Sequence, residues 1–225
     1  MGSLAHQFVH EKLQADVPMP PDRFERSVFI NCPFDRAYRR LLEAIVFTVQ
    51  ACGLEPRCAQ EAANSAENRL DRIAEIIGQC QYGIHDISRI EMTDGLPRFN
   101  MPLELGLDLG CRKYGKPHQR LKCLLILDRV EHQYDRTISD LSGQDIEAHH
   151  NKPTDCIRAI RRWIVRTSAS TGGNIPGANL IVTHYRKFRR DLPAFCKELA
   201  LDPKDLQFVE LSRVIQIWRT HQAKY

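Results

Sequence analysis

The sequence predicts an α/β fold: a doubly wound, mainly parallel sheet with a C-terminal helical appendage. Three observations carry this. Short apolar runs alternate with segments of helical period from Ser27 to Arg166, the pattern of a sheet wound with helices. The run Leu121-Lys122-Cys123-Leu124-Leu125-Ile126-Leu127 is almost wholly apolar, as strands covered on both faces are. Beyond a Ser/Thr/Gly-rich stretch at 167–179, only helical patterns remain.

Residues 1–26 hold Pro18, Pro20 and Pro21 and no sustained period, so they read as an N-terminal arm or short helix. Val28-Phe29-Ile30 reads as the first strand. Tyr38 to Gln50 follows as a helix, with Leu41, Leu42, Ile45, Val46 and Val49 on one face and Cys52-Gly53 ending it. Leu54 to Ala59 predicts a second strand, placed at a sheet edge because Pro56 cannot donate to a ladder. Asn68 to Cys80 repeats Leu70, Ile73, Ala74, Ile76 and Ile77 at helical spacing, and Tyr82 to Ser88 is the third strand.

Asn100 to Gly110 predicts a helix beginning near Pro102, which puts Glu104 in its first turn. Gly115-Lys116-Pro117 then breaks the chain before the buried fourth strand. Asp140 to Ile146, with His149 and His150, reads as a turn entering a short helix, and no chemistry is assigned to it. Thr154 to Arg166 carries Ile157, Ile160, Trp163 and Ile164 as a helix packed back on the sheet. The domain therefore spans 27–166, a linker 167–179 and a helical region 180–225. That region reads as three helices, Asn179–Arg190, Leu192–Leu201 and Asp205–His221, the last with a stripe of Leu211, Val214, Ile215 and Trp218.

A chain of 225 residues with 43% hydrophobic content can bury a core. It has no apolar run of about 18 residues and no secretory leader, so no membrane span and a cytoplasmic location are expected. The eight cysteines are scattered, with no Cys-x-x-Cys pair, and read as reduced core thiols with no metal site. Residues 1–150 hold 18 Lys/Arg against 22 Asp/Glu, net −4, whereas 151–225 hold 14 against 6, net +8. The two parts suit different partners.

In a doubly wound sheet the ligand sits beyond the carboxyl ends of the strands. The residues that follow strands are therefore the candidates: Asn31-Cys32-Pro33-Phe34-Asp35, then Glu61 and Asn64, then Asp86 with Ser88-Arg89. Glu104 and Asp86 are the candidate catalytic acids. Asn31 and Pro33 form a candidate ligand wall and Phe34 a stacking surface, while Ser88, Arg89, Arg98 and Asn100 are candidate substrate donors. His85 points to the sheet face opposite Asp86 and reads as a core histidine. A purely structural role, helix-terminal charge for Glu104 and cap or ion-pair partner for Asp86, is the alternative. No Gly-x-Gly-x-x-Gly and no Gly-x-x-x-x-Gly-Lys-Ser/Thr occurs, which removes the usual support for dinucleotide oxidoreduction and P-loop hydrolysis.

Val28 to Phe34, Arg69 to Cys80, Asp86-Ile87-Ser88, Glu104-Leu105-Gly106 and Gly115-Lys116-Pro117 together resemble the TIR-like and nucleoside 2-deoxyribosyltransferase-like superfamily, over residues 27–128. The resemblance implies a flavodoxin/TIR-like sheet. In its deoxyribosyltransferase branch the Glu-Leu-Gly glutamate attacks the anomeric carbon and an acid near the preceding strand holds or protonates the base; Glu104 and Asp86 match those positions. In its TIR branch an Ile-x-x-Ile helix, an Ile-Ser strand end and a helical glutamate cleave the nicotinamide–ribose bond of NAD, and Ile73-x-x-Ile76, Ile87-Ser88 and Glu104 are similar. Arg98-Phe99-Asn100 replaces the Asp-x-Gly of many deoxyribosyltransferases, and no Trp-Cys precedes the glutamate.

The resemblance implies a nucleotide N-glycosidase, with NAD as substrate rather than cofactor, in bacterial anti-phage or stress signalling. It further implies a homo-oligomer, or a protein partner held by the C-terminal helices. A nucleotide sensor that does not cleave its ligand is the alternative, as is nucleic-acid binding by the basic tail. In His184-Tyr185-Arg186-Lys187-Phe188-Arg189-Arg190 the aromatics are expected to pack inward rather than to meet bases.

Overall fold

The computed structural model describes residues 21–62, 68–89, 99–131, 138–141, 143–167 and 174–222. Its centre is a five-stranded sheet in which every pairing is parallel: β1 (Ser27–Asn31), β2 (Glu55–Cys58), β3 (Tyr82–Asp86), β4 (Cys123–Asp128) and β5 (Asp145–Ala148), ordered β2-β1-β3-β4-β5. The doubly wound reading holds, and Pro56 lies on an edge strand as expected. β5 is a departure: Asp145-Ile146-Glu147-Ala148 is a strand, not part of a helix. Its polar residues are tolerated because only one side of an edge strand must pair and its side chains stay partly exposed.

Helix α1 (Pro21–Arg26) leads directly into β1. The central strands are buried on both faces, so their alternate residues define two cores. Val28, Ile30, Tyr82, Ile84, Leu125 and Leu127 face α2 (Arg39–Ala51), whereas Phe29 faces α3 (Arg69–Gly78). Helix α4 (Asn100–Tyr114) joins α3 on that second face, where it adds Leu107 and Cys111. Helix α5 (Pro153–Thr167) lies beside α2, with Trp163 edge-on to Tyr82 at 5.9 Å between ring centroids.

The C-terminal segment forms two helices rather than three, α6 (Ala178–Glu198) and α7 (Phe208–Gln222). Pro193 lies inside α6 without ending it, because the buried stripe Ile181, Val182, Tyr185, Phe188, Leu192 and Cys196 continues past it and offsets the missing backbone hydrogen bond. Asp191 starts no helix; it accepts a hydrogen bond from Trp218 Nε1 at 3.0 Å. Tyr185 and Phe188 do pack inward, against Phe47 of α2 at 5.7 and 5.4 Å, and Trp218 completes the cluster. Four aromatic side chains buried at one junction supply several kcal/mol, at about 1.5–3 kcal/mol each. The outer helices thus share one core with the sheet. No helix among the described residues is long and apolar enough to cross a membrane.

Candidate functional site

The chain leaves β1 toward α2 on one face and leaves β3 toward α4 on the other. The carboxyl ends of β1 and β3 therefore flank the switch point at which ligands bind in this strand order. Asn31 and Asp86 are the last residues of those strands, and the start of α4 lies above them.

Helix α4 begins at Asn100, two residues earlier than the expected start at Pro102. Pro102 is its third residue, a position whose N–H has no helical partner in any case. Glu104 is consequently the fifth residue, in the second turn and on the buried stripe of Met101, Glu104, Leu105 and Asp108. Its exposure is 8%, and it makes no hydrogen bond or ion pair with any described residue. Burial pushes its carboxyl up to about 7, with the field of Arg69 opposing in part. Burial raises the thiols of Cys58, at the end of β2, and Cys32, just past β1, and the field of Glu104 adds a smaller part to each.

One turn further along the same stripe, Asp108 is fully buried but well supplied with partners. Lys122 Nζ lies 3.1 Å from one of its oxygens and His85 Nε2 3.0 Å from the other. Lys122 also donates to the carbonyls of Ile77, at 2.8 Å, and Cys80. Asn31 Nδ2 donates to Met101 O at 2.8 Å and lies 3.0 Å from His85 Nδ1, so His85 Nδ1 is the acceptor and Nε2–H is aimed at Asp108. His85 therefore belongs to the core, as its place on the strand implies. The close approach of α4 to β3 requires Gly83, where a methyl group would stand 2.6 Å from Asp108 Oδ2.

Asp86 points to the opposite face, into the α2/α5 core. Tyr38 Oη donates to one carboxylate oxygen and Ser88 N–H to the other at 2.8 Å, with no exposed surface left. His149 Nε2 lies 3.0 Å from Oδ2, off the line a hydrogen bond needs, while its Nδ1 accepts from the Asn151 N–H. Burial and the neighbouring carboxylate raise the Tyr38 hydroxyl well above its ordinary value, burial being the larger cause. Tyr38 and His149 are the members of this cluster that reading the sequence missed. Their one linear signal is position, each standing shortly beyond the carboxyl end of a strand.

The candidate binding residues divide the same way. Asn31 is committed to Met101, Ser88 is buried against Asp86, and Arg89 pairs with Asp35 at 3.1 Å. Pro33 is buried, while Phe34 is 38% exposed and Asn100 is exposed. Arg98 and Asn64 lie outside the described residues. The switch point thus brings together the end of β1, at Asn31, and the start of α4, at Met101, with Glu104 on the buried stripe of that helix and Asp86 turned to the other face.

All eight cysteines are free thiols, and among the described residues no group of three or more His, Cys, Asp or Glu is placed to hold a metal ion. No protein-family model, curated protein or solved structure matches this chain.

Proposed function

We propose that the chain is a nucleotide N-glycosidase that cleaves the nicotinamide–ribose bond of NAD, with Glu104 as its catalytic carboxylate. The observation that carries this is Glu104 itself: buried at the strand switch point, without a hydrogen-bond partner among the described residues, and held at about 7. A carboxyl so placed near neutrality is a group available for chemistry rather than for holding the fold.

The positively charged nicotinamide ring favours the ionised form of Glu104 as it binds. When the C1′–N bond breaks, its electron pair leaves with the ring, which departs neutral and needs no acid. The positive charge developing at C1′ is stabilised by Glu104, which then takes the proton of the attacking water. Neutral purine or pyrimidine bases, by contrast, need protonation to leave. The second carboxylate, Asp86, is turned away and occupied by Tyr38 and Ser88. One available acid therefore favours a pyridinium leaving group over a deoxynucleoside. The TIR-like resemblance of Ile87-Ser88 and Glu104 points the same way. A cytoplasmic setting suits eight free thiols, and a homo-oligomer or protein partner on the C-terminal helices belongs to the same proposal.

The test is to incubate the full chain, at concentrations that permit self-association, with NAD, deoxynucleosides and nucleoside monophosphates, and to follow free base by chromatography. Nicotinamide release from NAD is expected, falling by about 10²–10⁴-fold in Glu104→Gln. Intact NAD that raises the melting temperature would make the protein a sensor. Free base from deoxynucleosides alone would move it to the deoxyribosyltransferase side.

A further inference from the structure

A cleft lies on the α2/α5 side of the sheet, the face opposite α4 and Glu104. It has a volume of about 240 Å³ and is lined by Arg40, Pro153, Thr154, Tyr185, Arg186 and Arg189. These residues come from three elements: Arg40 from the first turn of α2, Pro153 and Thr154 from the first turn of α5, and the rest from α6.

Three arginines line one small space, and their compensation is incomplete. Arg189 is paired with Glu43, whereas Arg40 and Arg186 have side chains without a hydrogen-bond or ion-pair partner among the described residues. The Tyr185 hydroxyl donates to the Arg40 carbonyl at 3.0 Å, which leaves its ring as an apolar wall beside Pro153. Helices α2 and α5 both begin here, so the positive ends of their dipoles add to the potential of the arginines, with Asp155 in the first turn of α5 opposing in part. The segment 151–225, which supplies most of the lining, carries net +8.

Arginines gathered around a concave space, with one hydroxyl donor in Thr154 and one flat apolar wall, match a phosphate ester that carries a ring. An extended polyanion would instead favour a long basic face. We infer that this cleft binds a small phosphorylated ligand, a nucleoside phosphate being the class that fits its charge and its wall. Nothing in this site depends on the role of Glu104.

Arg40 and Arg186 are exposed, so replacing them leaves the fold intact. The experiment titrates inorganic pyrophosphate and adenosine 5′-monophosphate into the full chain by calorimetry, for wild type, Arg40→Gln/Arg186→Gln and Glu104→Gln. Binding by wild type, weakened at least about tenfold in the double variant and unchanged in Glu104→Gln, is expected, since each charge-assisted hydrogen bond removed is worth about that factor. The inference is overturned if neither compound binds at millimolar concentration, or if the double variant binds as wild type does. It is equally overturned if only a DNA or RNA oligonucleotide binds.

Discussion

The two carboxylates at the carboxyl end of the sheet, Asp86 and Glu104, are both buried, yet they are treated in opposite ways. Asp86 accepts hydrogen bonds from Tyr38 and Ser88 with His149 beside it, under helices that are themselves covered by α6 and α7. Glu104 lies on the buried stripe of α4 and has no such partner among the described residues. A buried charge that is satisfied has been used for structure. One without such partners costs stability. Asp108, four residues beyond Glu104 on the same stripe, does have partners, His85 of β3 and Lys122 just before β4.

Three substitutions test this contrast. The largest effect is expected from Lys122→Ala, which leaves Asp108 charged, buried and without its cation; urea unfolding should show a decrease of about 3–5 kcal/mol. A decrease below about 1 kcal/mol would mean that Asp108 is not held as an ion pair. Next is Asp86→Ala, which strands the Tyr38 hydroxyl inside the core and should cost about 2–3 kcal/mol in the same measurement. An unchanged midpoint would remove the structural role assigned to Asp86.

Glu104→Gln should act in the other direction. Because folding raises this carboxyl from its ordinary 4.5 to about 7, the wild type loses stability as pH rises through that interval. Below about pH 4.5 the group is neutral in both states and carries no ionisation penalty. The amide should therefore be more stable than wild type by about 3 kcal/mol at pH 8, with the gap closing as pH falls from about 7 to 4.5. A gap that does not change with pH would show that Glu104 is solvated like a surface acid.

The strands β1, β3 and β4 are legible in the sequence because burial on both faces leaves continuous apolar runs. Strand β5 is not, since four half-exposed residues at an edge need no such run. Leu192 to Leu201 reads as a separate helix, but α6 runs on through Pro193 because tertiary packing of Leu192 and Cys196 outweighs one missing hydrogen bond. Glu104 is legible as a carboxylate following the third strand, but its depth in α4 is not, because a proline suits the third helical position as well as the first. The cluster of Tyr38, Asp86 and His149 joins residues separated by 48 and 63 positions. Only the strand order, which no local pattern states, places them side by side.

The C-terminal helices have a practical consequence. Phe47 of α2 is stacked among Tyr185, Phe188 and Trp218, and Gln50 reaches across to Ser212 of α7 at 2.8 Å. Cutting the chain before residue 178 would not release a detachable handle; it would lay open the interior against which β1 is built. Through Phe47, the outer helices bear on the same core that Val28 and Ile30 of β1 enter.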